Sequence, residues 1–201
     1  MKWTLFITAA TIVLFLVAQL MSLWAVRRVE QVPYRVVERL RDLEVRAYPP
    51  HWAVGHHTHN ARYAEAAPMG FRRLARYIFG GNDHEERIAM TAPVTLEQDD
   101  RGYTVFFGMP GGRTDHDLPV PDDPTVLVLE RPSARMACVR FGGRATDFRI
   151  AREVERLQRA LTGSPWRAVG RPVVMGYNPP WQLLGRRNEV AIAVEPADSQ
   201  G

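Results

Sequence analysis

Between Tyr34 and Glu195 one order of elements can be read twice, and that order restricts the fold more than any single motif. In the first half, strand-like runs at Tyr34–Leu40, Leu43–Tyr48 and His51–His57 precede an amphipathic stretch, Tyr63–Phe79. Two more runs follow, Glu86–Gln98 and Tyr103–Met109. The second half gives Thr125–Glu130 and Ala134–Gly143, a helical stretch at Thr146–Leu161, then Pro172–Trp181 and Asn188–Glu195. Alternation with period two marks the strands, and apolar residues three and four apart mark the helices. Ala67, Phe71, Leu74, Ala75 and Ile78 share one face of the first helix; Ile150, Val154, Leu157 and Leu161 share one face of the second. Gly80-Gly81 stops the first, and Gly163 with Pro165 stops the second. A helix with one apolar face must cover a sheet. Strands without long crossovers favour antiparallel pairing. About eight strands then curl into a barrel or an open saddle, which hides the edges.

The segment ahead of the repeat is of another kind. Trp3–Val26 carries no charged residue and is flanked by Lys2 and by Arg27-Arg28. About 20 apolar residues cross a bilayer, and Trp3 and Trp24 stand near the ends, where interfacial aromatics are favoured. The segment predicts an uncleaved transmembrane anchor. The competing reading is a cleaved signal segment, but the run is long for one and no A-x-A site precedes Arg27. The organisation expected is an anchor or signal over 1–28, a linker over 29–33, a domain over 34–195 with halves near 34–109 and 125–195, and a tail over 196–201. The close flanking charges tie. Arg35, Arg39 and Arg41 weigh toward a cytoplasmic domain. A short charged start before an apolar run is also how exported proteins begin, and the soluble part is expected on the exported side.

The net charge is +4, with 26 basic residues of which only Lys2 is lysine, and 22 acidic residues interspersed. A nucleic-acid surface needs clustered positive charge, so no nucleic-acid partner is expected. Cys138, the one cysteine, forms no internal disulfide, and its apolar run Arg135–Phe141 points to a packed thiol. Neither G-x-S-x-G, H-E-x-x-H nor a phosphate-cradling loop occurs, and catalysis is not expected. In "ERIAMTAPVTLEQ" (Glu86–Gln98) Pro93 interrupts an alternating run. Proline donates no ladder bond, so it belongs at an edge or a bulge.

The pieces "LEVRAYPPHWAV", "GFRRLARYIFGGN", "IAMTAPV" and "GYNPPWQLLGRRNEVAIAV" resemble, in order and spacing over Tyr34–Val194, the SOUL haem-binding protein family. The resemblance implies an α+β fold: a pseudo-two-fold, distorted antiparallel β-barrel of about eight strands flanked by two α-helices. Here one N-terminal transmembrane helix precedes it. The fold is shared with the ligand-binding domains of GyrI-like regulators. The resemblance also implies a tetrapyrrole ligand, haem b or another porphyrin, on an apolar surface near the first helix. Attachment is non-covalent, since C-x-x-C-H is absent.

A tetrapyrrole is a flat apolar disc with two carboxylates, and its site needs an apolar wall and cations. The first helix offers Met69, Arg72, Arg73, Arg76 and Tyr77. Met90 adds a polarizable contact, and Trp181, Leu183 and Arg186 form an opposing wall across an apolar cleft. The competing readings are a solvated face for the helix arginines, core packing for Met90, and an ion pair with Glu189 for Arg186 or Arg187. His57 and His59, two apart on a strand, share a face and are the metal-ligand candidates, without an evident third ligand. Some family members carry histidine where Ala47 stands, so axial ligation through that position is not available. A small-molecule hydrolase or a sensor of hydrophobic cations is the alternative function. Either needs an unpaired inward carboxylate at Glu38, Glu44 or Glu189.

Overall fold

A computed structural model describes residues 2–197; residues 198–201 of the expected tail lie outside the described residues. Helix α1 is Lys2–Val26. Strands β1 (Glu30–Gln31), β2 (Arg35–Arg39), β3 (Glu44–Tyr48) and β4 (His51–Thr58) follow, then helix α2 (Tyr63–Ile78). Next come β5 (Thr91–Ala92), β6 (Val94–Asp99), β7 (Gly102–Gly108), β8 (Val126–Arg131) and β9 (Ala134–Phe141). Helix α3 (Asp147–Leu161), β10 (Trp166–Gly176) and β11 (Asn188–Pro196) complete the elements of the described residues.

Nine strands form one sheet in the order β2-β3-β9-β11-β10-β6-β7-β4-β8, and β1 pairs with β5 beside it. Leave out the edge strand β2, and the order is palindromic. Each half keeps its second, third and fourth strands together and lends its first strand, β3 or β8, to the other half. The pseudo-two-fold therefore passes between β6 and β10, which pair antiparallel at the centre.

The sheet does not close into the expected barrel, because β2 and β8 remain as separate edges. A bent ribbon stands in for closure. Strand β3 pairs with β9 up to Tyr48↔Ala134, and β4 pairs with β8 from His51↔Arg131 onward, so one register continues across the break. Pro49-Pro50 on one side and Pro132 on the other occupy that break. Proline lacks the N–H a ladder needs, so the prolines uncouple the ribbon where it passes from one half-sheet to the other.

Helix α2 packs on β7, β4 and β8, and α3 packs on β11, β9 and β10, both on the same face. Their burial stripes are Ala66, Gly70, Leu74, Tyr77 and Ile78 on α2, and Ile150, Glu153, Leu157 and Leu161 on α3. A Cβ at Gly70 would overlap the side chain of Val105, so glycine lets α2 lie close on β7. The helix N-termini meet: Asp147 accepts the Tyr63 backbone N–H at 2.6 Å and the Ala64 N–H at 3.4 Å. This carboxylate satisfies two donors that α2 leaves open at its start. The opposite face of the sheet carries a second, smaller apolar cluster of Ala92, Cys138, Val173, Met175, Tyr177 and Ala191.

Candidate functional site

Three places could hold a ligand, and their chemistry differs. The first is on the face away from the helices, between the β6–β10 centre and the proline bend. There Tyr48, Phe106, Met136, Val173 and Met175 line a cavity of about 120 Å³, with the Glu97–Arg131 ion pair at its wall. A cavity of ~150 Å³ admits a benzene. This one is far too small for a macrocycle.

Beside it lies a buried charge network. Glu189 is fully buried and takes Arg46 Nη1 at 2.6 Å and Nη2 at 3.2 Å, Arg187 Nε at 2.9 Å, and the Tyr177 hydroxyl at 2.8 Å. Burial pushes the Glu189 carboxyl up, but the hydrogen bonds and charges of Arg46 and Arg187 outweigh it and hold it below the usual carboxylate range. Glu44 bonds Arg46 and Arg39, and Glu38 accepts the Trp166 indole N–H at 2.6 Å. All three carboxylates that the alternative function needed are thus engaged. Cys138 lies in the same layer, buried, with its thiol pushed up to about 12, by burial above all.

A groove of about 430 Å³ runs between α3 and the central strands. Its floor is Leu96, Tyr103, Ile150, Val154 and Val174. Among the described residues the only cation lining it is Arg171, which is paired with Asp100 at 2.9 Å, and Asp147 also lines it. Sequence reading missed this groove, since it forms only when residues of β6, β7, β10 and α3 are brought together.

The solvent face of α2 is the third place. Met69, Arg72, Arg76 and Phe79, which caps the helix, recur at spacings of three, four and three, so they form one stripe. Met69 is 45% exposed and Phe79 65% exposed. Arg72 and Arg76 are exposed and have no partner among the described residues. The stripe presents two free guanidinium groups between two apolar ends.

Several expected site residues lie elsewhere. Between α2 and the sheet no cleft exists: Leu74, Tyr77 and Ile78 are at most 1% exposed, and Phe71 stacks edge-on against Phe107 at 5.2 Å. Tyr77 belongs to this core and donates to the Pro119 carbonyl at 2.9 Å. Arg73 pairs with Asp123 at 2.9 Å. Hydrogen bonds from the Thr125 hydroxyl and N–H, then from Arg73, hold that carboxyl at about 2. Met90 precedes β5 and packs against the main core, half-buried. Pro93 falls between β5 and β6, not inside a strand, and its peptide bond to Ala92 is cis. Trp181, Leu183 and Arg186 sit in the β10–β11 loop, whose Trp181–Leu184 segment is hydrogen-bonded to α1. Arg186 Nη1 donates to the carbonyls of Pro179, Pro180 and Gln182, so it folds its own loop. His57 and His59 touch edge-on at 5.0 Å, but no group of three metal-binding side chains occurs among the described residues. Neither histidine belongs to the α2 stripe.

The sequence pattern of the SOUL heme-binding protein family matches residues 29–193, almost everything after α1. This chain belongs to the SOUL family. Among its SOUL relatives, Heme-binding protein 1 of Xenopus laevis is 30% identical over 135 residues, covering 64% of this chain and 70% of that protein. Heme-binding protein 2 of Homo sapiens is 28% identical over 156 residues, covering 73% and 75%. In fold, this SOUL chain is similar to the C-terminal domain of EcmrR, with a TM-score of 0.54 at 12% identity, covering 81% of this chain and 98% of that one. It is also similar to a hydrolase from Listeria innocua, with a TM-score of 0.54 at 10% identity, covering 79% and 94%. At such identity the likeness is one of fold alone.

Proposed function

We propose that this protein binds haem b or another porphyrin non-covalently and serves as a membrane-anchored carrier, buffer or sensor without catalysis of its own. Membership in the SOUL family over residues 29–193 carries the reading. The structure supplies a surface whose chemistry fits: an apolar disc lies along the α2 stripe against Met69 and Phe79, and its carboxylates meet Arg72 and Arg76. Guanidinium forks match carboxylates in pairs. The groove along α3 is the poorer match, because Arg171 is paired and Asp147 also lines it. Iron, when present in the ligand, supplies redox and axial-ligand chemistry; the residues of the stripe bind the disc and its rim. The anchor is α1, whose Phe6–Val26 portion is long and apolar enough to cross a membrane. The short charged start ahead of it supports placing the soluble domain on the exported side.

The test is titration of the full chain in detergent micelles with haemin and with metal-free protoporphyrin, read by absorbance and tryptophan quenching. Saturable binding of both with similar affinity is expected, since the stripe offers no histidine to iron. Binding of haemin alone would mean iron coordination elsewhere. No saturable response to either would remove the proposal.

A further inference from the structure

We propose that the β10–β11 loop, Pro179–Arg186, is a lipid-facing wedge. Trp181, Leu183 and Leu184 enter the same leaflet as the C-terminal third of α1. This inference rests on the reading of α1 as a membrane anchor.

The loop is fastened to α1 at a specific depth. Gln19 carries the one amide side chain of α1 and is only 5% exposed. Its Oε1 accepts the N–H groups of Leu183 at 2.8 Å and Leu184 at 3.3 Å, and its Nε2 donates to the Trp181 carbonyl at 3.2 Å. One turn on, the Ser22 hydroxyl donates to Gln182 Oε1 at 3.3 Å. The end of the span is marked by Arg27 and Arg28, the latter stacked 3.4 Å over Trp24, as expected where a helix leaves lipid. From Val26 back to Gln19 is about 10 Å at ~1.5 Å per residue. The loop is therefore held about a third of the way into a hydrocarbon core of ~30 Å.

The loop also meets much of its own hydrogen-bonding need within the protein. Irregular backbone tolerates lipid only when its polar groups are satisfied by protein. Pro179 and Pro180 have no N–H. The carbonyls of Pro179, Pro180, Trp181, Gln182 and Leu184 each accept a hydrogen bond, from Arg186, Gln19 or groups within the loop. The polar side chain Gln182 is fully buried, whereas Trp181 is 67% and Leu183 58% exposed. Polar atoms turned inward and large apolar side chains turned outward invert the usual rule for a surface loop.

The test uses the full chain in phosphatidylcholine vesicles with one nitroxide label at a time: Leu183→Cys on the loop, Leu14→Cys in α1, and Leu127→Cys on exposed β8 as the aqueous reference. Cys138 is buried and does not compete for label. Collision rates are measured with oxygen, which concentrates in lipid, and with a water-soluble nickel chelate. We expect the oxygen-to-nickel ratio at Leu183 to exceed that at Leu127 several-fold and to approach that at Leu14. A Leu183 ratio equal to that of Leu127, with Leu14 in lipid, would overturn the wedge and leave the anchor standing. A Leu14 label open to nickel would remove the anchor and the wedge with it. Shielding of Leu183 from both reagents would mean contact with a second copy or another protein, and would equally overturn the wedge.

Discussion

Glu189→Ala lowers the stability of the folded domain by roughly 3–5 kcal/mol, the cost of stripping one partner from a buried ion pair. The carboxylate is fully buried and is the shared acceptor for Arg46, Arg187 and Tyr177. Arg46 is itself only 5% exposed. Alanine leaves that guanidinium paired with Glu44 alone, and leaves Arg187 and the Tyr177 hydroxyl without their acceptor. For a domain of this size the melting midpoint falls on the order of 10 °C. The acid dependence follows from the direction of the shift. A carboxyl held below its unfolded value stabilises the fold above that value, about 4.3 for glutamate. Its contribution fades as pH falls through the lower, folded value. Wild-type stability therefore drops in acid below about pH 4, and the variant's curve is flatter there. Thermal melts of both proteins across pH 3 to 7 check this. A variant within about 1 kcal/mol of wild type at pH 7 would mean that the network adds little to the fold.

Arg72→Glu combined with Arg76→Glu weakens porphyrin binding by about 2 kcal/mol, roughly thirtyfold in Kd. Each exposed guanidinium–carboxylate contact is worth up to about 1 kcal/mol, and charge reversal removes the attraction and adds repulsion. Both side chains are exposed and unpaired, so the folding stability stays within about 0.5 kcal/mol of wild type. Added salt weakens the wild type more than the variant, because exposed charges are screened. Fluorescence titration against protoporphyrin at two ionic strengths reads both effects. An unchanged affinity in the double variant would move the site off α2.

What could be read from the sequence was local. The apolar faces of α2 and α3, their glycine stops and most strand runs follow from short-range spacing and agree with the structure within a few residues; the run Glu86–Gln98 does not, since strand begins only at Thr91 and is broken at Pro93. Tyr77 shows a signal read wrongly: it stands three residues after Leu74, on the same helical stripe, and its ring fills the core. Pro172 suggested a strand start, yet β10 begins at Trp166, because a register shift between Val169 and Val173 absorbs Gly170 and the proline. The continuous register through Pro49-Pro50 depends on pairing with β8 and β9, far along the chain, and no local pattern carries it. Nor does spacing tell that Arg186 binds its own loop's carbonyls, since a guanidinium near a turn is equally suited to an external carboxylate.

The most direct test of ligand placement is the ¹³C-methyl spectrum of methionine-labelled full chain in micelles, recorded as haemin is added. Ferric iron broadens nearby methyl signals, and the methionines divide the candidate places: Met69 lies on the α2 stripe, whereas Met136 and Met175 line the cavity on the opposite face. The Met69 signal should vanish first, at substoichiometric haemin, with Met136 and Met175 retained. A Met69 signal that survives saturation, or the earlier loss of Met136 and Met175, would contradict binding on α2.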